Sequence, residues 1–96
     1  MYTPVSTPTY DASYKKIIKG NLEKEKRAKN AVKLMRIDPF YSSLKTHKVH
    51  TRNFGEKWSS FVTGDLRIIW DFDEKKKLII ILLAVTKHSG SHREYK

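Results

Sequence analysis

A chain of 96 residues without cysteine reads as one small domain that must hold itself together by packing, since neither a disulfide framework nor a thiolate metal site is open to it. Twenty Lys and Arg against ten Asp and Glu leave a net charge of +10, a field that draws polyanions and favours a nucleic-acid or ribonucleoprotein partner. The longest apolar run, Leu78 to Val85, is too short to cross a bilayer, and the N-terminus has no basic segment leading into an apolar one, so a cytoplasmic, reducing compartment without membrane attachment is expected.

Tyr2 to Ser6 suits a short edge strand, where Pro4 can do without a ladder N–H. Thr7-Pro8 pairs an N-cap with proline at the first helical position, and Tyr10, Tyr14, Ile17 and Ile18 recur at helical spacing. The first helix is therefore expected from Pro8 to Lys19, stopped at Gly20. Asn21 caps a second helix from Leu22 to Ile37, ended by Asp38-Pro39 because a residue before proline avoids the α region. Ala28, Ala31, Val32 and Met35 form its apolar stripe, and lysines and arginines cover the rest. The short Gly20-Asn21 connection makes the two helices an antiparallel hairpin.

Phe40 to Phe54 has no sustained period and reads as a loop anchored by Phe40, Leu44 and Val49. Lys57 to Val62 is a strand, joined through Thr63-Gly64-Asp65 to a second strand from Leu66 to Phe72. After the charged loop Asp73 to Lys77, a third strand runs from Leu78 to Val85, and Thr86 to Lys96 is a polar tail. The expected architecture is α+β, in the order β-α-α-β-β-β: a small antiparallel meander sheet with a two-helix hairpin packed on one face.

Side chains alternate across a strand, so Leu66, Ile68, Trp70 and Phe72 share one face while Arg67, Ile69 and Asp71 share the other. Arg67 is thereby set opposite the most apolar face, where it can meet a ligand. On the bland alternative it pairs with Asp65 or Asp71. Trp58 and Trp70 fit the core better than a binding surface, Trp70 especially. His47-x-x-His50 and His88-x-x-x-His92 offer four imidazoles, but the spacing is loose, and neither a metal nor another cofactor is expected.

The order of elements, with Asp38-Pro39-Phe40, Leu44-Lys45-Thr46-His47-Lys48-Val49, Trp58-Ser59-Ser60-Phe61-Val62-Thr63 and Gly64-Asp65-Leu66-Arg67-Ile68-Ile69-Trp70, resembles the RelE/ParE toxin superfamily across essentially the whole chain. It looks closest to the RelE, YoeB and YafQ branches. That resemblance implies a ribosome-dependent endoribonuclease that cuts translated mRNA, silenced by a cognate antitoxin protein. It also implies site residues: Arg67 matches a catalytic strand arginine, His47 a loop histidine, Asp65 an aspartate just before the strand and Tyr95 a terminal aromatic. The tail histidine is His88 or His92, with His88 favoured by strand length. ParE toxins share the fold and inhibit DNA gyrase instead, so a gyrase inhibitor is the alternative, as is a degenerate toxin that only binds its antitoxin. Ser60 and Phe61 depart from the resemblance, which has arginines or a second histidine there.

Cleaving RNA needs a base for the 2′-OH, donors to steady the phosphorane and an acid for the 5′-oxygen. His47 and His88 suit the proton transfers, and the Arg67 fork suits a phosphate. Lys45, Lys48, His50, Arg52, Lys57, Lys87 and Arg93 are expected RNA contacts, with Tyr95 or Trp58 stacking on a base.

Overall fold

The computed structural model describes residues 1–87. Its elements are β1 (Thr3–Ser6), α1 (Pro8–Ile17), α2 (Leu22–Ile37), a 3-10 turn (Ser42–Leu44), β2 (His47–Thr51), β3 (Gly55–Thr63), β4 (Leu66–Phe72) and β5 (Ile79–Lys87). They form one five-stranded sheet in the order β1-β5-β4-β3-β2, with the helices over one face. The α+β architecture and the helix hairpin match the expectation from sequence.

Three details differ. The stretch read as a loop contains strand β2, which pairs antiparallel with β3 from His47 opposite Ser59 to Thr51 opposite Gly55. Its sequence, His-Lys-Val-His-Thr, carries no apolar alternation because most of this edge strand is exposed and its one buried side chain, Thr51, is polar. The sheet is mixed, not wholly antiparallel, because β1 runs parallel to β5 at the other edge. Finally β5 reaches Lys87, taking in Thr86 and Lys87 from what reads as tail, while α1 stops at Ile17, short of Lys19.

Caps and edges explain the helix layer. Thr7 accepts the Tyr10 N–H at 3.1 Å and donates its hydroxyl to the Leu82 carbonyl at 2.9 Å, so one side chain starts α1 and ties it to β5. β1 covers β5 only from Ile79 to Leu82. Beyond that, Ser13 of α1 accepts the Val85 N–H at 2.8 Å, occupying a donor that an open strand edge would leave available. Asn21 caps α2 by accepting the Lys24 N–H, and Gly20 takes a φ of +93° in the turn between the helices, where a side chain would be strained.

Tyr10 of α1, Ile18 at its C-cap and Ala28, Ala31 and Met35 of α2 pack on Val62, Leu66, Ile68, Trp70, Ile80, Leu82 and Val85. Each fully buried aliphatic chain here contributes about 1.5–3 kcal/mol. Leu44 is buried as expected, but Phe40 stays half exposed, edge-on to Trp58 with centroids 4.9 Å apart, and Val49 is outside this core.

The buried Trp70 anchors a polar chain through the packing. Its Nε1–H donates to Ser60 Oγ at 2.8 Å, Ser60 and Thr46 hydroxyls are 2.7 Å apart, and Thr46 donates to the Pro39 carbonyl at 2.6 Å. Thr46 has one hydrogen and Pro39 takes it, so Ser60 is the donor to Thr46. The 3-10 segment is thereby fastened to the middle of the sheet.

Candidate nucleic-acid interface

The face of the sheet away from the helices is laid out by strand register. His47, Ser59, Ile69 and Ala84 form one row, and Phe61, Arg67 and Thr86 the next. Ser59, Ile69 and Ala84 are buried, whereas His47 is exposed and Arg67 half-buried. A bulge at Val62 separates Phe61 opposite Arg67 from Thr63 opposite Leu66, turning the strand just before the Gly64-Asp65 connection.

Arg67 is not sealed in the interior. Its Nη1 donates to the carbonyls of Thr63 at 2.6 Å, Leu66 at 3.0 Å and Gly64 at 3.5 Å, and its Cζ lies 4.8 Å from the Phe61 ring centre. One nitrogen is fixed by the β3–β4 turn, while Nε and Nη2 take no part in these bonds. That leaves a two-pronged donor edge suited to a phosphate oxygen pair. Neither acid is its partner: Asp65 accepts the Thr63 hydroxyl at 2.9 Å, and Asp71 accepts Lys57 Nζ at 3.0 Å. Asp65 serves the turn that holds Arg67, and Lys57, expected as an RNA contact, has its charge answered by Asp71.

His47 stands at the start of β2. Its Nδ1 lies 2.9 Å from the Lys45 carbonyl. A carbonyl can only accept, so Nδ1 carries a proton, and in the neutral tautomer Nε2 is a lone pair without a partner among the described residues. Lys45 itself adopts a left-handed conformation, φ 48° and ψ 39°, uncommon for a residue with a Cβ. This backbone turns its carbonyl toward His47 while its Nζ lies 5.2 Å from the centre of the Phe61 ring. Two strand spacings and a two-residue step separate the His47 and Arg67 Cα atoms, on the order of 12 Å, so one phosphodiester can lie between the two side chains.

Other expected contacts fall elsewhere. Lys48 and His50 alternate with His47 and point to the helix side of the sheet. Lys48 Nζ lies 4.7 Å from the Trp58 ring centre, and Trp58 stacks on Trp70 at 6.1 Å and 22°. Trp58 is therefore occupied by its neighbours and is no stacking platform for a base. His47 and His50 lie on opposite faces and cannot converge on one metal ion. Arg52, in the β2–β3 turn, is about 17 Å along the strand from His47, beyond reach of the same phosphate. Lys87 ends β5 opposite Leu66. His88, His92, Arg93 and Tyr95 lie outside the described residues.

Sequence reasoning missed the roles of Ser60 and Phe61. Ser60 shares the parity of Trp58 and Val62, which is the signal that it faces the core, and it serves Trp70. Phe61 faces the opposite way, with Lys45 and Arg67 against its ring. A groove of about 650 Å³ lies elsewhere, between α1 and α2, walled by Tyr10, Tyr14, Ala28, Val32 and Leu82. Burial, then the neighbouring Tyr14 and Asp11, push the Tyr10 phenol up to about 12, so that it stays protonated near neutral pH.

No family model matches the sequence, and no curated protein matches it. Solved structures do match in three dimensions. A YoeB/ParE toxin from Agrobacterium tumefaciens superposes with a TM-score of 0.69 at 13% identity, over 90% of this chain and 98% of that one. A metal-bound toxin from Helicobacter pylori gives 0.70 at 17% identity, over 93% and 97%. A copper-bound mutant toxin from the same organism gives 0.68 at 13%, again over 93% and 97%. At such identities the likeness establishes the fold of these toxins, and function has to be argued from the side chains.

Proposed function

We propose that this chain is the toxin of a bacterial type II toxin–antitoxin system and acts as a metal-independent endoribonuclease on mRNA engaged by the ribosome. One observation carries the reading: an imidazole and a guanidinium stand on the same face of the sheet, within reach of one phosphodiester, and among the described residues nothing meets the imidazole Nε2 or the guanidinium Nε and Nη2. His47 Nε2 takes the 2′-OH proton as that oxygen attacks the adjacent phosphorus. The P–O5′ bond then breaks, leaving a 2′,3′-cyclic phosphate on one fragment. Arg67 carries the negative charge of the phosphorane. The departing 5′-oxygen takes a proton from a tail group, for which His88 is assigned, with His92 and Tyr95 further along the tail as the alternatives. Lys45 adds a second cation, and the ribosome presents the message.

The net charge of +10 supports a polyanionic partner. A cognate antitoxin would bring an acidic, amphipathic segment to cover this charge and the apolar wall of the helix groove.

Induced expression in bacteria with sequencing of RNA ends tests the assignment. Cuts inside codons of translated messages, lost in His47→Ala and Arg67→Ala, are expected. DNA breaks with intact mRNA would move the chain to gyrase inhibition, and growth without any effect would leave an antitoxin-binding protein only.

A further inference from the structure

Phe61 stands where a nuclease site has use for charge, yet its ring meets two cations. Lys45 approaches from the β2 side and Arg67 from the β4 side, with Nζ and Cζ at 5.2 Å and 4.8 Å from the centroid. β3, which carries Phe61, is the strand between them. We propose that Phe61 is a positioning residue whose π-face holds the Lys45 ammonium and the Arg67 guanidinium at a set separation, so that they grip successive phosphates of one single-stranded RNA. This rests on the RNA reading above.

Arg67 is already tied at Nη1 to the β3–β4 turn, so without a shared platform it is the Lys45 side chain that would be repelled into solvent, with many rotamers to lose on binding. A ring between them attracts both cations through its negative face and tolerates their mutual approach. Exposed cation–π contacts of this kind are worth about two- to fivefold each in an equilibrium constant. The carbonyl of the same Lys45 fixes the His47 tautomer, so the ring also steadies the residue that orients the base. Phe61 thus acts through its neighbours and touches no reacting atom.

Leucine at position 61 keeps bulk and apolarity but has no π-face, whereas tryptophan keeps the π-face. In the free protein, NMR is expected to show the Lys45 Hε and Arg67 Hδ protons shifted upfield by the ring current, the shift vanishing in Phe61→Leu and persisting in Phe61→Trp. Binding of a 2′-O-methyl oligoribonucleotide, which cannot be cleaved, is expected to weaken about 5- to 20-fold in Phe61→Leu, its log–log salt slope falling by about 0.7 for each phosphate contact loosened. Phe61→Trp restores both. A purely packing role would change the melting temperature and leave the salt slope alone. Absent upfield shifts in the free protein overturn the platform whatever the RNA result. Normal shifts with a wild-type slope in Phe61→Leu overturn the phosphate grip. Failure of the wild-type protein to bind the oligonucleotide both free and presented by a ribosome overturns the RNA reading, and the grip with it.

Discussion

The two faces of β4 come from alternate residues of one seven-residue strand, and they are held by different physics. Toward the helices, Leu66, Ile68 and Trp70 are fully buried, and the polar atoms there are matched within the protein, as in the chain from Trp70 through Ser60 and Thr46 to Pro39. On the other face Arg67 borrows backbone carbonyls from a turn, and Asp71 holds a half-exposed Lys57. The first face spends its hydrogen-bonding capacity internally. The second leaves part of it unused among the described residues, an imidazole nitrogen and a guanidinium edge, which the proposed reading assigns to RNA. Fold and proposed chemistry are therefore interleaved along the sequence yet separated in space.

Substitutions of sequence neighbours break the comparison most directly. Trp70→Ala should have the largest effect, about 3–5 kcal/mol from the cavity, with Ser60 losing its donor as well. Urea unfolding followed by far-UV circular dichroism checks it, and a near-wild-type midpoint would mean the helix face is not where stability resides. His47→Ala should do the reverse, cutting cleavage about 10²- to 10⁴-fold with stability moved by no more than about 0.5 kcal/mol. Cleavage of a translated message in a reconstituted system, beside a thermal melt, reads both. Ser60→Ala should cost about 1–3 kcal/mol because the buried Trp70 N–H loses its acceptor. Adjacent Phe61→Leu, by contrast, should move RNA binding more than the unfolding midpoint.

The sequence carries the helix hairpin and the β4–β5 pair openly, because caps, a proline after Asp38 and a dense apolar strand each have a local cause. It hides β2. An edge strand of His, Lys, Val, His and Thr looks like any polar loop, and without a strand there is no parity to sort its side chains. From sequence alone His47, Lys48 and His50 therefore fall into one site, although pleating sends Lys48 and His50 to the helix side. Arg67 was legible because it interrupts an apolar strand. The pairing of Phe61 with Lys45 and Arg67 was not, since it needs three segments brought together by a register that no local pattern encodes.

The smallest expected effect sharpens the comparison from the charged side. Lys57 and Asp71 form an ion pair at 3.0 Å on the face away from the helices, with side chains 27% and 34% exposed. Water still screens such a pair, so a double-mutant cycle with Lys57→Ala and Asp71→Ala should give a coupling below about 1 kcal/mol. The cycle is required because Asp71 also accepts the Phe72 N–H at 2.8 Å, which makes its single substitution cost more than the pair alone. Raising the salt concentration should shrink the coupling further. A coupling above about 2 kcal/mol, insensitive to salt, would mean that the charged face also holds the sheet together, and the division of labour between the faces would fail. A small, screened value means that this face can carry its charges at little consequence for the fold, which is the condition for aiming Arg67 and His47 at an outside phosphate.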